Sequence, residues 1–480
     1  MADRRSVVRH PPARHPPLPQ RPARPAAAHP PGPPRPGRRA VTLTLPPAPQ
    51  GGTRTGRHLV DAGLWPDVAR LPHASPLRTA LARRIVRRAF GRLPLRVRIA
   101  DAGTRIPRQP DGTQDGPPTL TLLDPEAFYR RIGADGLIGF GESYMAGEWD
   151  SDDLVELLTV LARHVDDLAP QALRRLRSLW VRRRPLSDLN TVDGARRNIH
   201  RHYDLSNDLF ATFLDPTLTY SSAVFTSLPA AAEDLPAAQH RKIDRLLDLA
   251  GTGPGTSLLE IGTGWGELAV RAARRGARVR TITLSREQRD LALSRIADAD
   301  VADRVTVELC DYRRVEGTYD AVVSVEMIEA VGAAYWPAYF GALHRLLAPG
   351  GRAVLQAITM PHDRMLHTAR THTWISKYVF PGGLIPSREA IARQGAAAGL
   401  AVVHDTGYGD HYAETLRLWR ERFLHESAAV TALGFDRAFL RMWELYLAYS
   451  EAGFRSRYLD VRQLVLTAQG GAHDADRPGT

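Results

Sequence analysis

Apolar residues in the second half of the chain gather in short, strand-length runs, and stretches with helical spacing fill the gaps between them. The runs fall at 257–261, 278–284, 305–309, 319–325 and 352–358. Each is rich in aliphatic residues and bounded by glycine, proline or polar clusters, which predicts buried strands. Helical periodicity predicts helices over 267–275, 286–296 and 336–347, the first closing at Gly276 and the last at Pro349-Gly350-Gly351. Strand and helix in regular alternation predict a parallel, doubly wound α/β sheet. Ligands on such sheets bind beyond the carboxyl ends of the strands. Gly262, Thr283, Asp311 and Glu329 fall at or just past those ends.

The first half has a different texture. Residues 77–90 read as a basic amphipathic helix with Leu81, Ile85 and Phe90 on one side. Residues 93–100 alternate apolar and arginine through Leu95, Val97 and Ile99, which predicts a half-buried strand. A second strand is expected at 119–123. Asp124-Pro125-Glu126 then opens a helix as an N-cap followed by proline. Ser151 and Asp152-Asp153 precede a helix through Leu157, Leu158 and Leu161, and the acids read as its N-terminus rather than a metal pair. The chain thus divides into a Pro/Arg-rich extension at 1–50, expected to be disordered, and a small α+β domain at 70–185. The α/β domain at 190–467 and a flexible tail at 468–480 follow. The strongly basic stretch 174–184 is expected to link the two domains.

Composition narrows the setting. The 480 residues are 43% hydrophobic and 24% charged, as in soluble globular proteins. No uninterrupted apolar stretch is long enough to cross a bilayer, and the N-terminus lacks the apolar core of a secretory signal. A single cysteine, Cys310, excludes an internal disulfide framework and a multi-thiolate metal site. The expected compartment is the cytoplasm. The net charge of +12 comes almost wholly from arginine, the only lysines being Lys242 and Lys377. A basic surface favours nucleic acid or anionic phospholipid, and charge alone does not choose between them.

The candidate chemistry centres on the segment from Leu258 to Leu268, where an apolar strand runs into Gly262, Gly264 and Gly266 and then into a helix. Glycines there allow positive φ, close approach of a ligand and tight strand–helix packing. Glu260 precedes them, where strand-one acids often meet the polar end of a cofactor. The stretch resembles motif I of S-adenosylmethionine-dependent methyltransferases. A nicotinamide site would prefer Gly-x-Gly-x-x-Gly. The acid expected about twenty residues on for ribose hydroxyls is missing, so Thr283 and Gln288 would have to serve. Asp311-Tyr312 supplies an acceptor and a ring suited to adenine. Each residue alone is compatible with ordinary loop chemistry; their joint placement at strand ends points to a methyltransferase.

A wider set of motifs resembles the cyclopropane-fatty-acyl-phospholipid synthases, the group that includes mycolic acid cyclopropane synthases and fatty-acid methylases. The set begins with Gly141-Glu142-Ser143-Tyr144-Met145, Trp149-Asp150, His202-Tyr203-Asp204-Leu205-Ser206-Asn207-Asp208, Leu214-Asp215-Pro216 and Tyr220-Ser221-Ser222-Ala223. It continues through the glycine turn, Thr283 to Gln288, and Glu326-Met327-Ile328-Glu329-Ala330-Val331-Gly332. Lys377 to Gly383, Tyr412, Thr415-Leu416, Trp419 and Phe454-Arg455 complete it. The resemblance spans about residues 70 to 467. It implies a Rossmann-like methyltransferase domain with a helical cap over an acyl-chain tunnel, preceded by a small lipid-binding domain. It also implies that S-adenosylmethionine contacts Tyr220, Ser221, Gly262, Gly264, Thr283, Gln288 and Tyr312.

The implied chemistry is methyl transfer to the cis double bond of an unsaturated phospholipid acyl chain, through a carbocation. Aromatic faces stabilise a cation without capturing it, and Tyr412 and Trp419 are candidates. In the family the base is a bound bicarbonate, held by Cys, Glu, His, a backbone group at Ile, and Tyr. Here Glu329, Ile358 and Tyr412 stand at three of those positions, while Ser222 takes the cysteine position and Gln356 the histidine position. Serine and glutamine can hydrogen-bond an anion, but a neutral amide supplies no positive charge. Loss of a proton from the added methyl closes a cyclopropane. A hydride shift first leaves a methylene, which later reduction turns into a methyl branch. Both outcomes stand open, and in either Glu329→Gln is expected to lose turnover while keeping cofactor binding.

The resemblance implies peripheral association with the inner membrane surface and no nucleic-acid partner. It leaves room for a homodimer and, for a methylene product, a separate reductase. A nucleic-acid methyltransferase fits poorly, because Glu326-Met327-Ile328-Glu329 stands where an Asn/Asp-Pro-Pro-aromatic loop belongs. A tailoring enzyme for a diffusible lipid or polyketide, and a lipid-binding protein without activity, are the remaining alternatives. His362, His367 and His372 are too irregular for a zinc site. Phe439, Trp443, Tyr446 and Tyr449 have the spacing of a helix face turned to the core.

Overall fold

The computed structural model describes residues 59–101, 104, 106, 116–165, 206–369 and 371–469. The extension at 1–50, the basic link at 174–184, the boundary near 190, the motif residues 202–205 and the tail from 470 onward lie outside them. After a single helical turn at Pro66–Ala69, the chain lays down helix α1 (Pro76–Phe90), strands β1 (Arg96–Ile99) and β2 (Thr119–Leu122), and helices α2 (Pro125–Asp135) and α3 (Leu137–Met145). Strand β3 (Trp149–Ser151) and helix α4 (Leu154–Arg163) finish this layer. Asp124 caps α2 by accepting from Ala127 N, and Asp153 caps α4 by accepting from Glu156 N, so both acids serve backbone donors.

Two expectations for this layer are corrected. Helix α1 buries Thr79, Ala82, Ala89 and Phe90, while Leu81 and Ile85 are only half-buried. All four residues of β1 are exposed, Val97 by 46% and Ile99 by 70%. Strand β1 pairs with β2 alone, at the edge of a three-stranded sheet in the order β1-β2-β3. Alternation predicts burial only where a second layer covers one face.

The second half forms a seven-stranded sheet. Its elements are helix α5 (Leu235–Leu249), β4 (Ser257–Ile261), α6 (Glu267–Arg274), β5 (Arg278–Thr283), α7 (Arg286–Asp298), β6 (Val305–Leu309) and β7 (Tyr319–Val325). The short α8 (Ile328–Val331), α9 (Trp336–Leu346), β8 (Leu347–Thr359), β9 (Leu400–Gly407), α10 (Gly409–His425), α11 (Arg437–Arg455) and β10 (Asp460–Ala468) follow. The strand order is β6-β5-β4-β7-β8-β10-β9. Strands β4 to β8 pair in parallel, as expected, but β10 runs antiparallel to both β8 and β9. The sheet is therefore mixed. Neighbouring residues of one strand point to opposite faces, and Leu258 and Leu259 join separate cores on the two sides. Deleting either side chain would cost about 2–5 kcal/mol.

The small layer and the α/β domain share one continuous core, in which Tyr144, Trp149 and Leu157 pack with Trp419, Trp443 and Phe454. Several resembling motifs turn out to form this seam. A Cβ on Gly141 would sit 2.3 Å from the Trp374 ring, so only glycine admits that contact. Glu142 Oε1 accepts from Lys377 Nζ at 2.5 Å and from Tyr378 Oη at 2.9 Å. Arg441 donates to the carbonyls of Tyr144 and Trp149, and its guanidinium lies 3.9 Å from the Tyr144 ring centroid. No helix among the described residues is long and apolar enough to cross a membrane.

Candidate active site

The turn after β4 is built by conformation. Gly262, Gly264 and Gly266 have φ of +102°, +51° and +91°, a region that side chains with a Cβ rarely adopt. Around Gly264 an added Cβ would meet nothing within 4 Å, so its backbone faces open space. Gly266 is different: its Cβ would stand 3.2 Å from that of Ala292, and it serves the packing of α6 on α7. Of the ten residues expected around the cofactor, nine line a single cavity above the strand ends. They are Tyr220, Ser221, Glu260, Gly262, Gly264, Thr283, Gln288, Asp311 and Tyr312. Gly266 stands behind them.

Each is held from behind. Ser285 caps α7 by accepting from Gln288 N, and Thr283 Oγ1 donates to Gln288 Oε1 at 2.9 Å, which fixes that amide one turn into the helix. Asp311 is gripped by Arg313 through its backbone N, Nε and Nη2, and these bonds hold its carboxyl below the ordinary range against the opposing effect of burial. Glu260 Oε2 accepts from Thr281 Oγ1 at 2.6 Å, and burial pushes its carboxyl up to about 8. Lys242, which no sequence motif singles out, also lines the cavity. Its Nζ donates to Ser221 Oγ at 2.6 Å, and burial lowers it to about 8 despite the nearby Glu326, Asp215 and Glu260.

At one end of the cavity the residues expected to hold an anion converge, on a group of the protein itself. Glu326 Oε1 accepts from Ser222 N and from Gln356 Nε2, both at 2.8 Å, and Oε2 accepts from Tyr412 Oη at 2.6 Å. Ser222 therefore contributes its backbone N, while its hydroxyl donates to Ala223 O. The amide of Gln356 is oriented from the neighbouring strand, since Gln463 Nε2 donates to Gln356 Oε1 at 3.0 Å across the β8–β10 pair. Ile358 N bonds to Glu329 Oε1 rather than to a shared centre, and Glu329 Oε2 is buried without a partner among the described residues. Burial and the charge of Glu326 push Glu329 up to about 8. Burial also raises Glu326, but three hydrogen bonds and Lys242 oppose the rise. Three donors meet Glu326 and one meets Glu329, so negative charge is better satisfied on Glu326.

Aromatic rings pack around Tyr412 of the cradle and Tyr220 of the cavity wall. Tyr412 packs on Phe454 with centroids 4.6 Å apart and meets Trp419 edge-on at 6.2 Å. Tyr220 lies 5.3 Å from Trp419, and its hydroxyl is 2.6 Å from that of Tyr446. Phe439, Trp443 and Tyr446 are core residues, whereas Tyr449 is 51% exposed, which corrects its expected place in the core. His362, His367 and His372 make local bonds to Ser387, Asp363 O and Ser376, and no metal-holding cluster occurs among the described residues.

The family model described as mycolic acid cyclopropane synthetase matches residues 191–464. The chain is 54% identical over 428 residues to the tuberculostearic acid methyltransferase UfaA1 of Mycobacterium tuberculosis, covering 87% of this chain and 98% of the relative. It is 32% identical over 353 residues to the cyclopropane-fatty-acyl-phospholipid synthase of Escherichia coli (strain K12), covering 73% of this chain and 88% of the relative. Among solved structures, the cyclopropane synthase MmaA2 from Mycobacterium tuberculosis superposes with a TM-score of 0.52 at 31% identity, covering 56% of this chain and 97% of that one. Mycolic acid cyclopropane synthase CmaA1, complexed with SAH and CTAB, superposes with the same figures.

Proposed function

This chain belongs to the mycolic acid cyclopropane synthetase family, an S-adenosylmethionine-dependent group that modifies lipids, and from that premise we propose that it methylates the cis double bond of an unsaturated phospholipid acyl chain to leave a branch. The observation that carries the reading is the single cavity that gathers the nine cofactor candidates and opens at one end on a polar cradle beside Tyr412 and Trp419. When bound, S-adenosylmethionine supplies an electrophilic sulfonium methyl, which an unactivated alkene requires.

The protein's own groups do the rest. Gly262 and Gly264 let the backbone approach the cofactor, Thr283 and Gln288 offer neutral hydrogen bonds to the ribose, and Tyr312 offers a ring face to the adenine. The cation that methylation leaves on the acyl chain is stabilised by the faces of Tyr412, Trp419 and their neighbours. A buried site with few nucleophiles prevents capture by water.

The branch is favoured over the ring by the 54% identity to a relative named as a tuberculostearic acid methyltransferase. The ring remains the second reading, favoured by the family description and the relative from Escherichia coli. The small α+β layer is read as the part that meets lipid, at a membrane surface on the cytoplasmic side. A methylene product would need a reductase elsewhere to become a methyl branch. The test is incubation of the full chain with S-adenosylmethionine and vesicles of unsaturated phospholipid, which should add the mass of one CH2 to the acyl chain. No transfer to any unsaturated lipid would overturn the reading.

A further inference from the structure

We infer that Glu326 is the catalytic base of this site, a carboxylate built into the chain in the place where the family uses a bound bicarbonate. The inference rests on the alkene-methylating reading above and adds the group that ends the reaction. Ser222, Gln356 and Tyr412 stand at three of the positions expected to hold that anion, and all three donate to the Glu326 carboxylate. A carboxylate presents the same O–C–O unit as bicarbonate, and both of its oxygens are engaged here. With those donors committed, a free anion in the cradle would set a second negative charge against Glu326 in a half-buried site. The residues present therefore do not fit bicarbonate.

A second observation is independent of the cradle. Glu326 has φ of +49°, in the left-handed region that costs a residue with a side chain on the order of 1–3 kcal/mol. The bond from Glu326 N to Gln356 O, 2.7 Å long, holds this turn at the end of β7. That conformation delivers the side chain back toward the cofactor cavity, which Glu326 lines. A carboxylate needed only to tie β7 to the cap would not have to border that cavity.

The step balances without a further reactant. The alkene π pair forms the new C–CH3 bond as the methyl–sulfur bond of the sulfonium breaks. Its electron pair stays on sulfur, S-adenosylhomocysteine leaves, and the cation is left on the adjacent carbon. A hydride shift moves the cation to the methyl-bearing carbon. Glu326 then removes a proton from the methyl, and the released C–H pair becomes the C=CH2 double bond of a methylene branch. The proton leaves Glu326 for solvent before the next turnover.

The test compares the full chain with Glu326→Gln and Glu326→Gly. Glu326→Gln should bind S-adenosylhomocysteine within about threefold of the parent yet lose at least about 100-fold in turnover, the usual share of a general base. Glu326→Gly is at ease at this φ and empties the cradle. It should bind 13C-bicarbonate by NMR where the parent does not, and added bicarbonate should raise its turnover by about tenfold or more. If Glu326→Gln fails to fold, Glu326→Gly decides alone. The inference falls if Glu326→Gln keeps more than about a tenth of the activity, if Glu326→Gly binds no bicarbonate, or if the parent requires bicarbonate. A parent that methylates no unsaturated lipid overturns the functional reading itself and the inference with it.

Discussion

Tyr412, on the cap helix α10, donates its hydroxyl to Glu326 Oε2 at 2.6 Å, joining the cap to the end of the central strand β7. The bond favours the ionised form of Glu326, and the same negative charge, together with burial, raises the phenol well above its usual value. Tyr412→Phe removes this one donor and leaves the ring. The pKa of Glu326 should rise, so the acid limb of the kcat profile should move to higher pH. The sign follows from the base being active when ionised: activity is present above its pKa and lost as pH falls through it. A charge-assisted hydrogen bond of about 1.5–3 kcal/mol is at stake. An unmoved acid limb would mean that Glu326 does not govern it.

Glu329 makes a separate prediction about stability. Its carboxyl stands at about 8 in the folded chain against an ordinary 4.5. Between those values the folded state holds a proton that the unfolded state releases, so stability falls as pH rises through that window. The slope from one such group is about 1.4 kcal/mol per pH unit. Glu329→Gln should flatten the decline in melting temperature from acid to neutral pH. It should also keep far more turnover than Glu326→Gln, because a neutral Glu329 already resembles glutamine. This departs from the role that family resemblance gave Glu329. An unchanged pH dependence of melting would show that the native group is ionised.

Gln463 is a positioning residue, since it acts through the amide of Gln356. Gln463→Leu should leave that amide free to turn its oxygen toward Glu326. The expected result is a loss in kcat of about fivefold, the worth of one net hydrogen bond, with KM for S-adenosylmethionine unchanged. The acid limb should shift upward as for Tyr412→Phe. An equal change in kcat and KM with no shift would mark a merely structural role.

Much of this architecture is legible in the chain because buried parallel strands are continuous apolar runs. Strands β4, β6 and β7 begin and end where the pattern places them. Strands β9 and β10 escape the pattern because polar residues interrupt them. Gln463 is buried against Gln356, and half-buried Arg462 pairs with Asp405, so their fit depends on partners in other strands. The cofactor residues are legible because glycine turns and strand-end polar groups carry their own local signals. Glu326 carries none: its three donors lie 104, 30 and 86 positions away, and one of them is a backbone N that no side-chain identity reveals. Lys242 was visible as one of two lysines, an unusual choice in a chain that otherwise uses arginine. In β1 the alternation was genuine, but no second layer among the described residues covers its apolar positions.

The most direct measurement of the central claim is proton NMR of the lipid formed when the full chain acts on oleoyl phospholipid vesicles with S-adenosylmethionine. The predicted product carries one added CH2 and shows the olefinic signals of a 1,1-disubstituted C=CH2 branch. Upfield cyclopropane ring protons would contradict the proposed branch, and unmodified oleoyl chains would contradict the enzyme's assignment to alkene methylation.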